Sequence, residues 1–320
     1  MIFIQRPQTD PFFNIAAEEY ILKRDDKDVV MLWQCSPSVI IGKHQNTLTE
    51  VNTGFADRLN IPVIRRLSGG GTVYHDEGNI NYTVITTEKR RDRLIDFRKF
   101  TQPVIDLLGT MGLKVLFEGK NNLVIKGKKF SGNSAHVYKN RVMHHGTLLF
   151  NSDLDILDKA IRPEMKWKIR DKAVQSIRAT VTNIRDHLNE EMDINEFKAM
   201  FQMFLLNYHS ISEVKELSKI DIQQINKMAG EKYKTWQWNF GYSPEYLFRN
   251  KIKGIGVEMK VKNGKIIDVG FEGDFEKREK LASLLTGLPY KKEDINRIMD
   301  SLNMGNETKG LMVHLIYPGI

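Results

Sequence analysis

Apolar positions along this chain recur with two periods, and the places where one gives way to the other mark out its elements. Phe12-Phe13-Asn14-Ile15-Ala16-Ala17-Glu18-Glu19-Tyr20-Ile21-Leu22 carries a helical stripe. Asp10-Pro11 ahead of it supplies an N-cap and a proline at the first helical position. Short apolar or alternating runs at 29–33, 39–41, 61–66, 72–74, 81–86 and 143–150 predict strands. Helices are predicted near 53–59, 97–111, 154–161, 194–208 and 221–233, with Gly112 closing the second. Lys126-Gly127 reads as a tight hairpin turn between 123–125 and 129–131. Asn263-Gly264 joins strands at 256–261 and 265–271 in the same way. Two helices and a last strand at 311–317 follow. Strands and helices are mixed without a βαβ rhythm, which predicts an α+β fold rather than a doubly wound parallel sheet.

The aromatic cluster Trp236-Gln237-Trp238-Asn239-Phe240-Gly241-Tyr242-Ser243-Pro244 ends in turn residues. It predicts a boundary, with a large catalytic domain over 1–244 and a small α+β domain over 245–320. Trp236 and Trp238 are expected to pack between the two.

Composition narrows the setting. Of 320 residues, 41% are hydrophobic and 28% charged, which is globular rather than disordered. A single cysteine, Cys35, excludes an internal disulfide and any Cys-x-x-Cys site, and points to a reducing cytoplasm. Residues 1–7 lack the h-region and cleavage site of a signal peptide, and no apolar run is long enough to cross a bilayer. The net charge of +8 suits an acidic partner or a polyanionic small molecule.

The segment Arg65-Arg66-Leu67-Ser68-Gly69-Gly70-Gly71-Thr72-Val73-Tyr74 changes the picture most. Glycine weakens a strand, so three in a row between two strands mean that something approaches the main chain closely, or that the chain makes a wide bulge. Bare backbone beside guanidinium groups is what an anionic ligand needs. Familiar alternatives fail. There is no Gly-x-x-x-x-Gly-Lys-Ser/Thr loop, no Gly-x-Gly-x-x-Gly opening a helix and no Gly-x-Ser-x-Gly elbow. His144-His145 would point to opposite faces of a strand and cannot easily share one ion, so no metal site is expected from protein ligands. Cys35 reads as a small buried thiol rather than a nucleophile.

Three more segments follow in order. They are Gly119-Lys120-Asn121-Asn122-Leu123-Val124-Ile125 leading to Lys128-Lys129-Phe130-Ser131-Gly132-Asn133-Ser134-Ala135, then His144-His145-Gly146-Thr147-Leu148-Leu149, then Ser176-Ile177-Arg178-Ala179-Thr180-Val181-Thr182-Asn183. With the glycine segment, and in this spacing, they resemble the lipoate–protein ligase A family. The likeness runs from Asn14-Ile15-Ala16-Ala17-Glu18-Glu19 into the C-terminal part. The resemblance implies a catalytic domain of the biotin/lipoate ligase fold, a mixed sheet with flanking helices distantly similar to class II aminoacyl-tRNA synthetase cores. It also implies a two-step reaction, in which lipoate and ATP give lipoyl-AMP and the lipoyl group then passes to a lysine of an acceptor domain. By resemblance, Arg66, Gly71, Thr72, Val73, Tyr74 and Lys129 fall on ATP-binding positions. Lys129, Arg66, Gly69 and Gly70 are the residues expected to bind lipoate, with Lys129 at its carboxyl.

The chemistry asks for such residues. A carboxylate must reach the α-phosphorus of a polyanion, and at about 4 Å and an effective dielectric near 20 each unit pair repels by roughly 4 kcal/mol. Arg66 offers a fork for oxygens, Lys129 a mobile point charge, and Mg²⁺, held mainly by phosphate and water oxygens, would neutralise the pyrophosphate. Strand alternation separates Lys128 from Lys129, so only one should face the site. The basic residues Arg162, Lys166, Lys168, Arg170, Lys172, Arg178 and Arg185 suggest a covering loop that also steers an acidic acceptor. Two positions depart from the family pattern: Asn122 where aspartate is usual, and Ala173 where glycine is usual. Expected acceptors are E2 subunits of oxoacid dehydrogenases or the glycine-cleavage H protein, with no nucleic acid or membrane partner and a monomeric enzyme. Rival readings are an ATP-independent lipoyl or octanoyl transferase, which would have only Cys35 for a thioester, and an RNA-binding protein on a synthetase-like scaffold.

Overall fold

A computed structural model describes residues 1–24, 27–88, 95–161 and 167–317. The chain opens with β1 (Ile2–Gln5), α1 (Pro11–Arg24), β2 (Val29–Trp33) and β3 (Ser38–Ile41). Short helices α2 (Thr47–Glu50) and α3 (Thr53–Arg58) lead to β4 (Val63–Arg65), β5 (Val73–His75) and β6 (Asn79–Thr87). After α4 (Phe97–Thr110) come β7 (Val115–Glu118), β8 (Asn122–Ile125), β9 (Lys128–Tyr138) and β10 (Arg141–Leu149). Then follow α5 (Leu154–Ala160), β11 (Lys168–Asp171), α6 (Ile194–Tyr208), β12 (Val214–Lys215) and α7 (Lys219–Met228). The C-terminal part holds β13 (Tyr246–Ile252), β14 (Ile255–Lys262), β15 (Lys265–Glu272), α8 (Arg278–Leu285), α9 (Lys292–Ser301) and α10 (Asn306–Ile316).

Among the described residues, eight strands form a mixed sheet in the order β12-β1-β2-β6-β10-β9-β8-β7. Alternation along β6 explains how it is buried on both sides. Ile80, Tyr82 and Val84 face α4 and α6, packing with Phe100, Leu107, Phe197 and Phe201. On the other face, Met31, Trp33 and Ile85 meet Ile15 and Ala16 of α1. A three-stranded sheet, β4-β3-β5, lies against that second face through Ile40, Ile64 and Val73. Its outer side, Val39, Ile41 and Tyr74, packs with Ala56 and Ala160, at α3 and α5. Two sheets thus face each other, and the site lies between them.

The α+β expectation holds, with one departure. β1 and β2 pair in parallel across α1, and β3 and β4 across α2 and α3, so each of the two sheets holds a local parallel crossover. Local signals were read well. Asp10 Oδ1 accepts the N–H groups of Phe12 and Phe13 at the start of α1. Both Lys126-Gly127 and Asn263-Gly264 take the paired positive φ angles of a tight hairpin turn.

The predicted strand at 311–317 is instead the helix α10. Met312, Leu315 and Ile316 are the buried positions, an i, i+3, i+4 spacing that fits a helical face onto the C-terminal core of Phe248, Met259, Ile266 and Leu281. A second correction concerns the basic run. Lys168 and Arg170 are not in a loop but in β11, which pairs with β13 as the edge of the C-terminal sheet β11-β13-β14-β15. Arg162 and Lys166 lie outside the described residues. Trp236 stacks on Phe240 and lies over Gly264, while Trp238 Nε1 donates to the Arg65 carbonyl at 2.7 Å. Among the described residues, no helix is long and apolar enough to cross a membrane.

Candidate active site

A cavity of about 740 Å³ opens between the two sheets. Its wall includes the glycine turn Gly69–Thr72, Lys129 to Ser134, the segment 174–181, and the inner end formed by Ile15, Trp33, Ile40, His75 and Asn81. One row of the large sheet runs along its floor. Trp33 of β2 pairs with Asn81 of β6, and Asn81 pairs with Thr147 of β10. Gly132 of β9 comes next, its N–H reaching Thr147 Oγ1 at 3.4 Å.

Lys129 stands at the outer end of that row. The β8–β9 ladder shifts register here, with Val124 opposite Lys129 but Leu123 opposite Ser131, so Phe130 is the extra residue of a bulge. Bulges re-aim side chains, and Lys129 lies back across Gly132. A Cβ built on Gly132 would meet Lys129 Cε and Nζ at 3.1 Å each. The lysine main chain is fixed as well, donating to Thr180 O at 2.8 Å and accepting from Thr182 N at 3.0 Å. Lys128 is exposed, as strand alternation predicts.

Arg66 is present at the site, but not as an open fork. It is only 6% exposed, and its guanidinium donates to the carbonyls of Gly69 (2.6 Å), Gly71 (2.8 Å) and Ile40 (3.1 Å) and to Ser68 Oγ (2.9 Å). It shapes the glycine turn and leaves a buried positive charge beneath it. Burial lowers its pKa to about 10, with the nearby Glu18 charge opposing the shift, so it stays protonated at neutral pH. Gly70 has φ +85°, a left-handed conformation that disfavours side chains. Tyr74 contributes main chain at most, since its ring is buried in the cluster on the far side of the small sheet.

Behind Arg66 runs a relay that the sequence did not reveal. Arg66 Nε can only donate, so Ser68 Oγ accepts from it, and the same oxygen is hydrogen-bonded to His145 Nε2 at 2.6 Å. His145 Nδ1 in turn lies 3.0 and 3.1 Å from the two carboxylate oxygens of Glu18. Thr83 Oγ1 donates to Glu18 at 2.6 Å, and Trp33 Nε1 to Thr83 at 2.9 Å. Burial alone would raise the Glu18 carboxyl. The His145 ring and the Thr83 hydroxyl, with Arg6 nearby, outweigh this and hold it below the ordinary carboxylate range. His144 faces the other way, stacked on Phe100 at 5.0 Å, as alternation predicts for the pair.

A second polar cluster closes the other wall. Ser176 Oγ accepts from Thr72 N (2.9 Å) and Gln45 Nε2 (3.1 Å) and donates to Glu50, whose other oxygen takes Ser176 N at 3.1 Å. The segment 172–180, which has no regular structure, is therefore docked on the glycine turn. Ala173 lies outside the left-handed region, so the glycine usual there is not required. Cys35 is fully buried, and burial pushes its thiol up to about 12, which removes it as a thioester nucleophile.

The site residues predicted from sequence thus line one cavity, while Glu18, Ser68, His145, Gln45 and Glu50 were missed as a working group. Adjacent carboxylates on the apolar stripe of α1 were the signal for Glu18.

A cavity between two sheets, with a cationic end and a glycine turn, suits an enzyme that handles an organic acid and an anion. The family described as "Lipoyl protein ligase A/B catalytic domain" matches residues 10–205, and "Bacterial lipoate protein ligase C-terminus" matches 243–316. The chain belongs to the lipoyl protein ligase A/B family. It is similar to the lipoate-protein ligase LplJ of Bacillus subtilis, with 37% identity over 99% of this chain and 100% of that protein. In fold it is similar to the bipartite lipoate protein ligase of Thermoplasma acidophilum, described with its E2 lipoyl domain (TM-score 0.65, 23% identity, 75% of this chain and 96% of that one). It is likewise similar to a lipoate-protein ligase A bound with ATP (TM-score 0.63, 22% identity, 75% of this chain and 98% of that one).

Proposed function

We propose that this protein is an ATP-dependent lipoate–protein ligase, and that the placement of Lys129 over Gly132, at one end of a row leading inward to Trp33, carries that reading. The lipoate carboxylate sits at Lys129, with its chain laid inward across the strands. ATP lies against Gly69, Gly70, Gly71, Thr72 and the main chain of Val73 and Tyr74, beneath the 172–180 segment. Arg66 supplies charge from below and holds the turn in shape.

In the first step a carboxylate oxygen bonds to the α-phosphorus, the bond to the bridging oxygen breaks, and pyrophosphate leaves. Lys129 offsets the charge that builds where the two anions meet. In the second step the neutral amine of an acceptor lysine bonds to the acyl carbon, AMP leaves, and the amine proton passes to solvent. Among the described residues no group of three acidic, histidine or cysteine side chains is placed to cage a metal. Mg²⁺ arriving with the nucleotide would therefore keep mainly phosphate and water oxygens, neutralising the leaving pyrophosphate.

Residues 1–244 form the catalytic domain in this reading and 245–320 an accessory domain. The acceptors are lipoyl domains of E2 subunits or the H protein, and the enzyme works as a cytoplasmic monomer. The fold likeness to a ligase described with an E2 lipoyl domain supports that partner class. The test is lipoate-dependent exchange of labelled pyrophosphate into ATP. Exchange is expected from the purified chain without any acceptor, and its absence would leave an acyl transferase instead.

A further inference from the structure

The inner end of the cavity holds two polar side chains that the reaction does not use. His75 is 3% exposed and Asn81 2% exposed, and both line the cavity. Among the described residues, neither ring nitrogen of His75 has a hydrogen-bond partner, and neither does Asn81 Nδ2. The Asn81 carbonyl oxygen accepts from Asn79 Nδ2 at 3.1 Å, which leaves the Asn81 amide NH2 over, with Asn79 Oδ1 likewise unpaired beside it. Unpaired buried polar groups are uncommon because each carries a desolvation penalty, so their position suits a ligand atom that can pair with them.

That position is specific. Three strand steps of roughly 4.8 Å separate Gly132 from Trp33, so an acid whose carboxyl is at Lys129 brings its far end toward Asn81 and Trp33. His75 reaches the same place from the small sheet, edge-on to Trp33 with ring centroids 5.7 Å apart. We infer that His75 and Asn81 recognise the sulfur-bearing end of the acyl group, making the enzyme select a dithiolane over an all-carbon tail of the same shape. The inference rests on the ligase reading above.

Sulfur is a weak acceptor, suited to the Asn81 amide NH2 and to the one N–H of a neutral imidazole, and its polarisability favours contact with the Trp33 ring. Burial, with Arg66 and His145 nearby, keeps the imidazole neutral, so it brings no second buried charge into an apolar end. A hydrocarbon tail fills the same space but leaves both donors unpaired, and a site that offers hydrogen bonds discriminates against an analogue unable to accept them.

The test compares lipoate with cyclopentylvalerate, which keeps the ring and replaces both sulfurs by carbon, in acid-dependent pyrophosphate exchange. The ratio of kcat/KM values within one preparation cancels any difference in folded fraction. Wild type is expected to favour lipoate by about ten-fold or more, the size of one lost buried hydrogen bond. His75→Phe keeps the ring against Trp33 but removes both nitrogens, and Asn81→Leu removes the amide; each is expected to bring the ratio toward one. An equal ratio in wild type, or a preference unchanged in both variants, overturns the inference and leaves shape as the selector. No exchange with either acid in wild type would instead overturn the ligase reading on which it rests.

Discussion

Lys129 lies across Gly132, close enough that a methyl group on the glycine would sit 3.1 Å from both Cε and Nζ. The lysine is thereby aimed along the strand row rather than out to solvent. Bare backbone at 132 is a means of setting the cation's height above the floor.

Gly132→Ala is therefore expected to fold normally, since the far end of a lysine can shift, yet to lower pyrophosphate exchange by roughly ten- to hundred-fold through misplacement of the ammonium. Lys129→Ala should abolish adenylate formation with an unchanged melting curve. Wild-type exchange in either variant would remove the lysine's position from the mechanism.

The Glu18–His145 contact predicts a stability pattern. His145→Leu leaves the buried Glu18 carboxylate without its imidazole hydrogen bond and should cost about 1.5–3 kcal/mol. Adding Glu18→Gln removes that orphaned charge, so the double variant should be more stable than the sum of the singles by about 1 kcal/mol or more. Urea denaturation of the four proteins measures this, and simple additivity would mean the two side chains are not coupled.

How much of this was legible in the sequence depends on how far apart the partners lie. The Asp10 cap and the two hairpin turns involve residues within a few positions of each other, and local chemistry found them. Met312, Leu315 and Ile316 were misread because a short apolar run serves either period until its packing partner is known. Arg66, the glycine turn and Lys129, which line one cavity, were singled out through residue type and family resemblance. Glu18 and His145 are 127 positions apart, and Ser68 and His145 are 77 apart, so no spacing rule joins them. Asn79, Asn81 and Thr83 alternate with Ile80, Tyr82 and Val84, a pattern ordinarily read as a solvated sheet face. Here that face is roofed by the second sheet, and its polar row becomes the floor of the site.

The buried imidazole of His75 ties stability to pH. Burial, with Arg66 and His145 adding to it, lowers its pKa from 6.5 to about 3 in the native protein. Between those values the unfolded chain binds a proton that the folded one does not, so acid favours unfolding. His75 therefore costs nothing above about pH 6.5 and destabilises progressively below it, by up to about 1.4 kcal/mol per pH unit. His144, lowered to about 4 mainly by burial, acts in the same direction over a narrower range. Urea midpoints measured between about pH 7 and pH 4 should fall less steeply in His75→Phe than in wild type. Identical slopes would mean that the native protein protonates His75 as readily as the unfolded chain does, and that the inner end of the cavity is wet rather than dry.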